Sequence, residues 1–151
     1  MSDPVMHLQR TLLADIPLAR AMQLTVESFD GESLALAAPL APNVNDKGCA
    51  FGGSLASLMT LAGWGLPRLA LDAVGMEAEI YVQDSTIRYL APVWHDFRVI
   101  ARVAEGESLA AFVAALRDKG KARLRVDCRV PLPDGGDAAT FEARFVALAK
   151  H

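Results

Sequence analysis

"NVNDKGCAFGGSLASLMTLAGWG", residues 43–65, sets a polar loop directly against a run that carries no charge. The uncharged stretch extends from Gly48 to Pro67, which matches the length of about 20 residues that a transmembrane helix needs. Five glycines, two serines and the closing Pro67 interrupt it, however. The truly apolar part, Leu55 to Trp64, is about half of what a bilayer core requires. The stretch therefore predicts a helix over about 53–71 that is buried in protein. A helix without a polar face has to be wrapped rather than laid on a surface, so what surrounds it decides the fold.

Upstream, Asp3 followed by Pro4 reads as a cap and first turn, and Val5, Leu8 and Leu12 recur at helical spacing to about Ala14. Ile16-Pro17 restarts the chain. Met22, Leu24 and Val26 then alternate with polar neighbours and, after Asp30-Gly31, Leu34 and Leu36 continue the period to Pro39, which predicts a hairpin. Downstream, an extended stretch runs from Glu77 to Ala91. Its apolar positions are even-numbered at Ile80 and Val82 but odd-numbered at Ile87 and Tyr89. The buried face must change near Asp84-Ser85, through a bulge or because both faces are covered there. A turn at Pro92–Asp96 leads to a strand with Phe97, Val99, Ala101 and Val103 inward. Leu109, Phe112, Val113 and Leu116 form a short amphipathic helix that Gly120 closes. Ala122, Leu124, Val126, Cys128 and Val130 alternate with charged residues; Pro133-Asp134-Gly135-Gly136 turns the chain into a last strand with Phe141, Ala143 and Phe145. Hairpin-like connections predict an antiparallel sheet. The expected fold class is α+β, a curved antiparallel sheet wrapped around one long central helix, with residues 1–151 as a single domain.

Hydrophobic residues make up 52% and charged ones 22%, which argues against disorder and for apolar surface buried between subunits. A homodimer or homotetramer is expected. The formal charge of −3 offers no general attraction to nucleic acid or to an anionic membrane. Met1 to Arg10 lacks the pattern of a secretory signal, so a cytoplasmic location is expected. Cys49 and Cys128 have no metal-ligand or disulfide-framework spacing; both are expected to be reduced, and no metal or other cofactor is called for.

Asn45-x-x-Gly48-x-x-Phe51-Gly52-Gly53 at the helix start, with Tyr89-Leu90-Ala91-Pro92 ending the long strand, resembles the pattern of hotdog-fold acyl-CoA thioesterases, N-x-x-G-x-x-H-G-G. The strings Phe-Gly-Gly-Ser-Leu and Gly-Trp-Gly-Leu bring the chain nearest to the thioesterase-like domain that follows an N-acetyltransferase domain in some bacterial proteins. The resemblance spans the chain from Ile16 onward. It implies a hotdog fold, an acyl-CoA or acyl-carrier-protein thioester as substrate, Asn45 holding the attacking water or the thioester carbonyl, and Gly52 supplying an oxyanion contact through its N–H. This sequence departs from the pattern twice. Phe51 stands where a histidine is common, and Thr60 stands where related thioesterases carry a catalytic carboxylate on the helix.

The residues themselves support that chemistry in part. Thioester hydrolysis builds negative charge on the carbonyl oxygen, and the first N–H groups of a helix are unpaired and collectively carry about half a positive charge. Gly52 and Gly53 let a carbonyl approach those groups, or else they only allow the chain to turn and pack. Ser54, Ser57 and Thr60 share one stripe of the helix; they either bond back to its carbonyls or border the acyl pocket and position water. Asp46 and Asp84 are the carboxylates to consider as a base, against a solvated turn residue and an ion pair with an arginine such as Arg88. Asp84 and Ser85, at the change of parity, are read as substrate contacts, as is Phe51, a wall of the pocket. A nucleophilic Cys49 lacks a neighbouring histidine. Arg117, Lys119, Lys121, Arg123, Arg125 and Arg129 read as the solvent face of a strand or as a platform for coenzyme A or carrier-protein phosphates. Two rival readings remain. A hotdog dehydratase would need a positioned histidine, and His7, His95 and His151 all lie off the motif loop. A non-catalytic acyl-thioester binder would need none.

Overall fold

The computed structural model describes residues 3–150. Two helices, α1 (Asp3–Asp15) and α2 (Pro17–Met22), precede the hairpin of β1 (Thr25–Phe29) and β2 (Ser33–Ala38). The central helix α3 (Gly52–Ala73) follows, then β3 (Ala78–Tyr89), β4 (Phe97–Val103), α4 (Leu109–Lys119), β5 (Lys121–Pro131) and β6 (Asp137–Ala149). All pairings are antiparallel, in the order β1-β2-β4-β5-β6-β3. The sheet curves around α3, which packs against β2 to β6 and against α1 and α4. This is the expected architecture.

Local differences from the sequence reading have identifiable causes. Met22 belongs to α2 rather than to the first strand, because Pro17 opens a helical turn there. That turn ends only at Gln23, in the left-handed region at φ 57°. Helix α1 already includes Asp3, so the expected cap is part of the first turn. Helix α3 continues through Pro67 to Ala73. A proline inside a helix costs about 3 kcal/mol, but Leu66, Leu69 and Leu71 are buried around it, and each buried leucine returns about 2 kcal/mol. Burial outweighs the lost hydrogen bond.

Glycines set how closely the sheet can approach α3. A Cβ on Gly63 would stand 2.8 Å from the Phe145 ring, and one on Gly65 would stand 2.6 Å from Leu34 Cδ2. Phe141 and Phe145 are fully buried on β6, so the face carrying Phe141, Ala143 and Phe145 is the inner face of the sheet.

The change of parity in β3 is a bulge. Val82 pairs with Phe145 and Asp84 with Arg144, so the register slips by one residue at Gln83. Ala78, Ile80 and Val82 therefore face inward before the slip, and Ser85, Ile87 and Tyr89 after it, as their partners Ala149 to Ala139 show.

The two sheet edges differ. On β1, Gln9 Oε1 of α1 accepts the Val26 N–H at 2.9 Å. Strand β3 is long and largely exposed, and α3 covers only its beginning: Trp64 Nε1 donates to Ile80 O at 3.2 Å, and Arg68 Nη1 to Ala78 O at 3.4 Å. From Val82 to Tyr89 that edge is open to a further strand.

We predict that Gly63→Val lowers stability by about 1–3 kcal/mol through overpacking against Phe145, measured as a shift of the urea unfolding midpoint. An unchanged midpoint would mean that the ring yields without cost.

Candidate active site

Loop 43–51 delivers the chain to the mouth of α3, and Asn43 anchors it. Its side chain is buried, with Nδ2 donating to Met22 O at 3.0 Å and Pro39 O at 2.8 Å, while its carbonyl accepts the Phe51 N–H at 2.7 Å. Ala50 N–H donates to Val93 O at 2.8 Å, which ties the loop to the β3–β4 connection. The residue before Gly52 is thus held from both sides.

Asn45, the asparagine of the motif, staples the loop to itself. Its Oδ1 accepts from Lys47 N–H at 2.8 Å and Cys49 N–H at 3.2 Å, and its Nδ2 donates to Cys49 Sγ at 3.2 Å. One Nδ2 proton is left over. Gly48 closes this turn at φ +88°, a region that side chains disfavour. Sequence reasoning singled out Asn45 and passed over Asn43, although the two stand two places apart; only burial separates their roles.

At the start of α3, Phe51 has extended backbone angles and gives no side-chain cap. The N–H groups of Ser54 and Leu55 both reach Phe51 O, at 2.9 and 3.1 Å. Those of Gly52 and Gly53 find no acceptor among the described residues. Two amides of the first helical turn, at the positive end of the helix dipole, are therefore unpaired among the described residues. Two aromatic rings flank them. A Cβ on Gly53 would lie 2.3 Å from Phe51 Cε2, and one on Gly52 would lie 3.4 Å from Tyr89 Cε1. Both rings are more than half exposed, Phe51 at 54% and Tyr89 at 55%. Tyr89 Oη also donates to Gly52 O at 3.2 Å.

The remaining expected residues are placed as follows. Thr60 Oγ1 donates to Ala56 O at 2.8 Å, the back-bond to the preceding turn; Ser54 and Ser57 are half-buried on the same stripe. Asp46 is exposed beside Lys47, whose ammonium 2.9 Å away holds the carboxyl below the usual carboxylate range, which weakens it as a base. Asp84 lies on the outer face of the sheet, away from α3, and its ion-pair partner is Arg144 at 3.8 Å rather than Arg88. Ser85, next to it, lies on the inner face at the open edge. His7 is 3.9 Å from Asp72, near the opposite end of α3. His95 Nδ1 is 2.7 Å from Asp96 O, and His151 lies outside the described residues. Cys128 is buried against Met59 O, and burial pushes its thiol far above the ordinary range. On β5, Arg125 pairs with Glu107 at 3.3 Å, Arg129 with Asp137 at 3.0 Å, and Arg123 donates to Gln83 at 3.3 Å. These arginines form the exposed face of the strand.

A curved sheet around a central helix, with uncapped glycine amides at the helix mouth, defines the class: the hotdog fold in its thioesterase form. The sequence profile of the family described as "Putative thioesterase (yiiD_Cterm)" matches residues 5–149, and the chain belongs to that family. It is similar to a solved structure from Shewanella oneidensis, described as "the putative thioesterase", with 31% identity over 98% of this chain and 99% of that one and a TM-score of 0.88. A protein of unknown function from Chlorobaculum tepidum TLS is 30% identical over 97% of this chain and 94% of its own, with a TM-score of 0.89. A Pseudomonas aeruginosa protein described as "Probable Thioesterase" matches 96% of each chain at 24% identity and a TM-score of 0.78, and shows the fold alone. Among the described residues no helix is long and apolar enough to cross a membrane.

The loop geometry predicts that Asn45→Ala frees Cys49. Its Sγ is buried and loses its hydrogen bond, so labelling by an aromatic disulfide reagent should accelerate about tenfold through easier local opening. Cys128 should stay unreactive in both proteins. Val44 and Ala50 also form an isolated antiparallel bridge, and an unchanged rate would show that this bridge holds the loop by itself.

Proposed function

We propose that this protein hydrolyses acyl-CoA or acyl-carrier-protein thioesters, with the thioester oxygen received by the unpaired N–H groups of Gly52 and Gly53. That pair of free amides is the observation that carries the reading. Water adds to the carbonyl carbon and gives up one proton to solvent, the carbonyl oxygen gains negative charge against the two donors, and the C–S bond then breaks to release a carboxylic acid, which ionises to solvent, and a thiolate, which takes up a proton from solvent. A thiol has a pKa of about 8.5, so the leaving group needs little help from a general acid. Preorganised amides are the larger contribution, commonly worth about 10²–10³ in kcat per donor.

Phe51 walls the acyl site in this reading. Ser54, Ser57 and Thr60 border it along the helix stripe, and the spare Nδ2 proton of Asn45 is the one it can turn toward water. Asp46, ion-paired in solvent, and Asp84, on the outer face, are not used as the base. Ser85 stands beside Asp84 at the open strand edge.

The reading includes a second copy of the chain. Ala149 N–H is taken by Gly120 O at 2.9 Å, so the pair Ala78–Ala149 exchanges no hydrogen bond and the backbone groups of Ala78, Ile80 and Val82 point away from β6; Arg68 and Trp64 take the carbonyls of Ala78 and Ile80, and the open part starts at Val82. An exposed strand with Tyr81, Val82 and Tyr89 on it is a liability unless it is covered. Antiparallel pairing of two β3 strands covers it.

The test is a panel of short, long and aromatic acyl-CoAs with a free-thiol readout, run beside ligand-induced melting shifts. Hydrolysis is expected, and Gly53→Val should reduce kcat at least about 100-fold, since its side chain takes the space between the amides and Phe51. Full turnover by that variant would refute the oxyanion assignment; binding without turnover by the wild type would instead identify an accessory acyl-thioester binder. Sedimentation should report an oligomer for the wild type and a monomer for Val82→Pro, which removes an outward N–H without touching the β6 ladder. An oligomeric Val82→Pro protein would exclude β3 pairing.

A further inference from the structure

We infer that Tyr89 is a positioning residue that aims the Gly53 N–H at the substrate, an inference resting on the oxyanion reading above. The Gly52 carbonyl and the Gly53 N–H are opposite ends of one planar peptide, so whatever holds the oxygen also holds the donor. Tyr89 Oη donates to that oxygen at 3.2 Å. The peptide lies between two glycines, the residues with the greatest backbone freedom, and no side chain caps the helix from Phe51. Besides the helix itself, the phenol makes the one side-chain hydrogen bond to this peptide among the described residues. A hydrogen bond received by the carbonyl also polarises the N–H at the other end of the same group.

The fold brings the ring there on purpose of register. Ala78, Ile80 and Val82 face inward on β3, a parity that would send residue 89 to the outer face. The bulge at Gln83 reverses it, and Tyr89 turns inward opposite Ala139. Both Leu90 N–H and Ala91 N–H then converge on Ala138 O, at 2.8 and 3.1 Å, and fix the end of the strand. The ring is more than half exposed, so core packing does not account for its position. The ring lies beside Gly52, where an added Cβ would make ordinary contact with Cε1 at 3.4 Å, and the hydroxyl bonds the Gly52 carbonyl.

Tyr89→Phe keeps the ring and removes only the hydroxyl. The expected result is a fall of about tenfold in kcat, with KM changed less than about twofold, the melting temperature unchanged, and the Gly53 amide resonance displaced in the ¹⁵N–¹H correlation spectrum. A merely structural tyrosine would move the melting temperature and leave the kcat-against-KM split untouched. Wild-type kcat in the variant overturns the inference while leaving the oxyanion reading intact. If the wild type hydrolyses nothing in the panel, the catalytic reading fails, and a ketone analogue of acetyl-CoA, with methylene in place of sulfur, decides the matter for Tyr89. A Gly53 amide that shifts on adding this analogue to the wild type but not to Tyr89→Phe supports the positioning role. Equal shifts, or none in either protein, overturn it.

Discussion

The structure depends on one constraint: α3 has no polar face, so water must be kept from nearly every side of it. Leu55, Leu58, Met59, Ala62, Leu66, Leu69 and Leu71 are all buried. No single layer can cover so wide an apolar arc. The sheet curves to do it, α1 and α4 close the flanks, and Gly63 and Gly65 let Phe145 and Leu34 come within van der Waals distance of the helix backbone. The same demand explains why the helix runs through Pro67. Breaking there would expose the leucines beyond it, at a greater cost than one missing hydrogen bond.

A wrapped helix still has ends, and the ends are where chemistry becomes possible. The first two amides of α3 stay unpaired among the described residues because the side-chain oxygens of the loop before them are occupied elsewhere. Asn43 bonds Met22 of α2 and Pro39 just after β2, the Asn45 oxygen is used in its own turn, and Phe51 offers no oxygen from its side chain. The polar loop that stands so abruptly against an apolar segment is therefore scaffolding: Asn43 and Asn45 hold its backbone in place.

The bulge at Gln83 links the mouth of α3 to the open edge of the sheet. It lets one strand serve two faces, with Val82 directed inward before it and Tyr89 after it. The edge it belongs to is open over that stretch, in contrast to β1, where Gln9 occupies a free amide. Trp64 and Arg68 end the open portion by bonding Ile80 O and Ala78 O. Asymmetric edges of this kind direct any further strand to one side of the sheet.

Read alone, the sequence determines the elements whose signal is local. The period of two in β5, the uncharged run of α3, the cap glycine at 120 and the parity change in β3 are legible because each reflects which face of a short segment meets the core. The motif from Asn45 to Gly53 also marks the helix mouth. Tertiary structure alone decides which polar groups are free to act. Whether Asn43 or Asn45 is buried, whether Asp84 meets Arg88 or Arg144, and whether Tyr89 reaches Gly52 depend on contacts between residues distant in the chain, and such contacts leave no period in it. Side-chain type limits which hydrogen bonds are possible; only the packed arrangement determines which are already made.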